Sequence, residues 1–121
     1  MEEWDVILQE PVLDWLTLLE KDDVDKITSA LNLLGVHGPR LGRSYVDTLQ
    51  NVKYANMKEL RVQSRSSVFR LFFIFDPFRQ AIVLCGGDKK GKNEKTFYKT
   101  MIAQAEQTYE AYLKEEYLEN K

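Results

Sequence analysis

The stretch Val68–Phe75 constrains this chain more than any other part of it. After Arg70 every position is apolar, Leu71-Phe72-Phe73-Ile74-Phe75, and a strand sends successive side chains to opposite faces. A run like this is stable only as a central strand covered on both sides. The segments around it fit that role. In Lys58–Arg65 the period is two, with Leu60 and Val62 pointing one way and Glu59, Arg61, Gln63 and Arg65 the other. Gln80–Gly86 is a further apolar strand, reached through Asp76-Pro77-Phe78-Arg79, a turn with Pro77 at its favoured second position. Three such strands joined in succession make an antiparallel meander.

On either side of the meander the period lengthens to that of a helix. Trp4–Leu8 alternates briefly and predicts a short first strand. Pro11 suits the first turn of a helix whose apolar stripe is Val12, Leu13, Leu16 and Leu19. Asp22 and Asp23 are placed to cap a second helix, in which Val24, Ile27, Leu31 and Leu34 recur at steps of three and four, and Gly35 is its expected end. Residues 37–56 hold glycines, a proline, polar residues and arginines, and predict a long connection. Asn93 caps a last helix with Phe97, Met101, Ala105, Tyr109 and Tyr112 on one face. The expected order is β-α-α-β-β-β-α, an α+β fold in which an antiparallel sheet packs against helices. One domain over residues 1–121 is expected at this length.

Several chemistries are excluded by residue usage. The single histidine, His37, and the single cysteine, Cys85, cannot supply a zinc-ligand set, and a histidine-dependent triad would rest on His37 alone. Cys85 lies in an apolar strand and reads as a core thiol. Gly86-Gly87-Asp88-Lys89-Lys90-Gly91-Lys92 has the wrong spacing for a phosphate-binding loop. No metal and no cofactor is expected. The apolar runs are too short for a membrane span, and the acidic start, Glu2-Glu3-Trp4-Asp5, is unlike a secretion signal. A cytoplasmic protein with no membrane partner is the expectation.

A net charge of −2 conceals a division along the chain. Residues 1–36 carry nine Asp/Glu and two Lys, residues 37–100 carry thirteen Lys/Arg and five acids, and residues 101–121 carry five Glu and two Lys. A basic middle between acidic flanks suits a polyanion-binding face. Arg61 and Arg65 on the first meander strand, Arg70 on the second, and Lys89, Lys90, Lys92 and Lys95 beyond the third can converge there. Tyr98, one turn into the last helix, can reach the same edge. Such a group can act on an RNA phosphodiester: the 2′-hydroxyl attacks, the cations stabilise the charge growing on phosphate, and a tyrosine or a lysine exchanges protons. Phe97 is assigned to the core. Arg43, Lys58, Arg65, Lys90, Lys92 and Lys95 are the expected RNA-binding residues.

The motifs Leu41-Gly42-Arg43-Ser44-Tyr45-Val46-Asp47-Thr48-Leu49 and Asn56-Met57-Lys58-Glu59-Leu60-Arg61 resemble the phage-derived HigB-like branch of the RelE/ParE toxin superfamily. The similarity continues through Phe69–Pro77, Leu84–Lys89 and Phe97-Tyr98. It implies a curved antiparallel sheet under helices and ribosome-dependent cleavage of mRNA. It also implies neutralisation by a cognate antitoxin, often a helix-turn-helix protein. By the same resemblance Arg61, Arg70, Lys89 and Tyr98 are the catalytic set, with Arg70 at the scissile phosphate. Glu59 stands where RelE has a lysine, and no histidine matches those some HigB toxins use, so the proton-transfer groups stay open. A gyrase inhibitor of the ParE type and a non-catalytic antitoxin-binding module are the alternatives. The full set of Arg61, Arg70, Lys89 and Tyr98 argues against the first.

Overall fold

A computed structural model describes residues 3–118. Strand β1 (Asp5–Leu8) leads into helices α1 (Glu10–Leu16) and α2 (Lys21–His37) and a 3₁₀ turn, Gly38–Arg40. Strands β2 (Val46–Thr48), β3 (Met57–Gln63), β4 (Val68–Phe75) and β5 (Gln80–Asp88) follow, and helix α3 (Glu94–Leu118) completes the order. The sheet is open, with strand order β1-β5-β4-β3-β2. β2, β3, β4 and β5 run antiparallel in succession, and β1 adds to β5 in parallel. The α+β architecture is as expected from the sequence, with β4 at the centre.

Both faces of β4 are covered, by different helices. Phe69, Leu71 and Phe73 pack with Val12 of α1 and Ile27, Leu31 and Leu34 of α2. Phe72 and Ile74 pack with Phe97, Met101 and Ala105 of α3. Phe72 and Phe73 are fully buried, each removing a large apolar surface from water at about 25 cal/mol per Å². A register shift between Phe72 and Phe73 makes Leu84 the extra residue of β5. Leu84 and Cys85 therefore both reach the α3 side, as a bulge permits.

Three local expectations need correction. Residues 37–56 are not simply a connection: Val46–Thr48 forms the edge strand β2 against Leu60, Glu59 and Lys58. Three residues are too few to show a period. Gly35 does not end α2, which continues to His37 and is closed by Gly38 at φ 55°. Gly35 is instead a contact surface, since a Cβ there would lie 3.2 Å from the Trp4 carbonyl oxygen, while Trp4 N–H donates to Gly35 O at 2.8 Å. Asp22 and Asp23 lie in the first turn of α2 after Glu20, and no side chain caps that helix. A negative charge still favours that end through the helix dipole. Asn93 does cap α3, its Oδ1 accepting from Thr96 N–H at 3.0 Å.

Candidate active site

Alternation along β3 sends Glu59 and Arg61 to the α3 side of the sheet, with Met57, and Leu60 and Val62 to the other. The β3–β4 register sets Arg61 directly opposite Arg70. Two like charges at that position repel unless a carboxylate intervenes. Glu59 intervenes. It is 4% exposed, and its Oε2 accepts from Arg61 Nε and Nη2 at 3.3 and 3.2 Å. Its Oε1 accepts from the Tyr98 hydroxyl at 2.6 Å and lies 3.5 Å from Arg70 Nε. Arg70 Nε also donates to the Tyr98 oxygen at 3.3 Å, and its Nη1 to Phe69 O at 2.9 Å.

The rim adds two more ion pairs. Arg61 Nη2 reaches Asp47 Oδ2 of β2 at 3.1 Å. Lys89 Nζ bonds Glu94 Oε1 at 2.7 Å and sits 5.4 Å from the centre of the Tyr98 ring. Exposure is graded, from 38% for the Arg61 side chain and 21% for Lys89 to 12% for Arg70. A ligand would meet Arg61 and Lys89 first, with Arg70 at the floor. Burial, reinforced by the bond to Glu59, pushes the Tyr98 hydroxyl up to about 12, with Arg70 opposing. Tyr98 therefore keeps its proton at neutral pH and can give it away. Among the described residues no group of His, Cys, Asp and Glu side chains is placed to hold a metal ion.

Four residues singled out in the sequence, Arg61, Arg70, Lys89 and Tyr98, thus meet in one cluster. The others lie outside it. Arg65 is not on the polar face of β3, which ends at Gln63; it is exposed in the turn to β4. Lys90 and Lys92 are exposed in the turn after β5, and Lys95 on the first turn of α3. Lys58 shares the face of Leu60, opposite to Arg61, and its Nζ donates to Thr48 Oγ1 at 2.9 Å. It lines a groove with Arg43 and Arg40 that Asp47 also lines. What sequence reasoning missed is Glu59 as the hub. The signal was its position two residues before Arg61, which puts both on one face of a strand.

Residues 14–110 match the family described as phage derived protein Gp49-like. The chain belongs to this family, within a HigB-like branch. Over 112 residues it is 44% identical to the toxin-named HigB3 of Mycobacterium tuberculosis, covering 93% of this chain and 96% of that protein. Similarity to the toxin-named HigB2 of the same organism is 38% over 106 residues, 86% of this chain and 52% of HigB2, so the chain spans about half of that relative. The fold is that of RelE. The archaeal RelE–RelB complex from Pyrococcus horikoshii OT3 contains a chain that superposes with a TM-score of 0.55 at 13% identity, covering 73% of this chain and 97% of that one. The free E. coli toxin RelE mutant superposes at 0.54 and 16%, covering 73% and 85%.

Proposed function

We propose that this chain is the toxin of a type II toxin–antitoxin pair, an endoribonuclease that cuts mRNA on the ribosome. The observation that carries this reading is the convergence of Arg61, Arg70, Lys89 and Tyr98 around the buried carboxylate of Glu59. The toxin names of its relatives, and the RelE–RelB complexes that share its fold, support it. In the free protein each cation is held by a carboxylate. A phosphate entering between Arg61, Lys89 and Arg70 competes for those guanidinium and ammonium groups. Once they turn to the phosphate, the Glu59 carboxylate is released from its guanidinium partners and is free to act on the incoming hydroxyl.

Glu59 then takes the proton of the 2′-hydroxyl, whose oxygen attacks the adjacent phosphorus. The arginines and Lys89 stabilise the charge that accumulates on the non-bridging oxygens. Tyr98 gives its proton to the departing 5′-oxygen, leaving a 2′,3′-cyclic phosphate and a 5′-hydroxyl. The Tyr98–Glu59 hydrogen bond, 2.6 Å long, returns the proton from Glu59 to the phenolate and resets the site. The partners are mRNA on the ribosome and an antitoxin of the helix-turn-helix kind. An acidic segment of that partner covers the Arg61–Lys89 rim, so that RNA and antitoxin compete.

The test is a translation reaction with purified ribosomes, in which the wild-type chain cuts mRNA and both Arg70→Ala and Glu59→Gln lose about 10²-fold or more in rate. Full cleavage by folded Arg70→Ala protein would overturn the assignment. Intact mRNA together with inhibition of DNA supercoiling would place the chain among gyrase inhibitors instead.

A further inference from the structure

Beside the cationic cluster lies a second open space that the proposed chemistry does not use. It is a groove of about 580 Å³ at the end of β5, between α1 and the start of α3. Gly86 and Gly87 form its floor, with Trp15 on one side and Phe97 and Met101 on the other. The fit to the glycines is close: a Cβ on Gly86 would lie 2.5 Å from the Trp15 ring, and one on Gly87 would lie 3.1 Å from Met101 Sδ. Lys92 and Thr100 stand at the rim, both exposed.

The groove adjoins the cluster on two sides. Gly87 is the cross-strand partner of Arg70, and Phe97, whose ring centre is 5.5 Å from that of Tyr98, is its neighbour in sequence. A polyanion held at Lys89 and Lys92 has this groove beside it, since Lys92 lines the rim; Asp88 lines it too, its Oδ1 accepting from Val68 and Lys90 N–H. Aromatic side chains set beside a cationic track are how single-stranded nucleic acid is held, bases stacking while phosphates pair with cations.

We infer that the groove is a nucleobase subsite, receiving the base of a nucleotide next to the phosphate bound at Arg70, with Trp15 as its stacking surface. This inference rests on the reading of the cluster as an RNA site. It assigns selection of sequence to the Trp15–Phe97 groove and chemistry to the Glu59 cluster. The Trp15 ring already covers Gly86 and Met101 covers Gly87, so the base enters between Trp15 and Phe97, where Thr96 and Thr100 also line the groove.

The chain has two tryptophans, so a Trp4→Phe background leaves Trp15 as the sole indole emitter. The probe is a fully 2′-O-methylated tetranucleotide, which lacks the attacking hydroxyl, alongside copies abasic at each position in turn. Intact RNA should change Trp15 emission. One abasic position should weaken binding roughly ten-fold or more and abolish that change. Thr100→Phe, a substitution at an exposed position that fills the mouth, should reproduce the loss with intact RNA. Arg70→Ala should weaken intact and abasic RNA alike. If every abasic copy binds as the intact one while Arg70→Ala still weakens binding, the groove inference falls and the RNA reading stands. If no oligonucleotide binds the wild-type chain, the groove inference falls, and the reading of the cluster is decided by the cleavage assay with ribosomes. If Thr100→Phe leaves RNA binding unchanged and blocks antitoxin binding, the groove is a protein-docking surface and the inference is overturned.

Discussion

At the scale of the residue, Glu59 determines how the cluster behaves. A carboxylate with 4% exposure is tolerated because two arginines and a tyrosine hydroxyl saturate its oxygens. The Tyr98 hydroxyl belongs to that set, and Tyr98→Phe leaves one Glu59 oxygen short of a donor. We expect a loss of about 1–3 kcal/mol in denaturant unfolding, together with loss of mRNA cleavage. The hydroxyl also has a signature in alkali. Its pKa is raised from 10.0 to about 12 in the fold, so the folded state favours the protonated form. That contribution is complete below pH 10 and is lost as pH rises through about 12. The decline of wild-type stability across this window should be shallower in Tyr98→Phe, and parallel curves for the two proteins would contradict the sign. Arg70→Lys keeps the charge and loses the fork that reaches Glu59, Tyr98 and Phe69 together. Cleavage assays should show about ten-fold or greater loss for it.

At the scale of the element, β3, β4 and α3 are what bring the cluster together. The period of β3 and the register with β4 place Glu59, Arg61 and Arg70 on one face, and α3, capped by Asn93, brings Tyr98 to them. These features were legible in the sequence, as alternation, as a turn and as a cap. The join between α2 and β1 was not. Gly38 has φ 55°, and a Cβ there would lie 2.5 Å from the Trp4 ring. Gly38→Ala is therefore both strained and obstructed, and thermal unfolding should show a loss of roughly 1–3 kcal/mol. Gly35→Ala meets only the 3.2 Å contact with the Trp4 oxygen and should cost less. The order of these two losses tests whether Gly38, and not Gly35, closes the helix.

At the scale of the whole molecule, the cations form two basic regions that a linear charge count merges. One holds Arg61, Arg70 and Lys89, and the other is the groove of Arg40, Arg43 and Lys58, which Asp47, the ion-pair partner of Arg61, also lines. RNA affinity should fall with salt in proportion to the phosphates contacted. Comparing the salt slopes of Arg43→Gln and Arg61→Gln shows whether the second region touches RNA, an unchanged slope for Arg43→Gln meaning that it does not. Cys85 reports on the molecule as a unit. Burial pushes its thiol up to about 12, and its Sγ–H lies 3.5 Å from Met101 O. Modification by a thiol reagent should proceed only through opening of the α3 face and should accelerate in step with unfolding by denaturant.

The sequence by itself determined the α+β class and the central place of β4, and the family resemblance picked out the four cationic and aromatic side chains of the cluster. Hydrophobic period depends on local geometry, and a five-residue apolar run has few stable environments. It could not determine partners. Glu59 reads in sequence as one more polar residue on an open strand face, and only the placement of α3 over that face makes it a buried hub. Val46–Thr48 is too short to carry a period and becomes a strand because β3 offers it an edge. Lys58 and Arg61 look alike as basic residues three apart, yet the pleat sends them to opposite sides of the sheet. Which charges meet, and which a layer of backbone keeps apart, depends on side-chain direction and on contacts between residues remote in sequence, and those exist only in the folded chain.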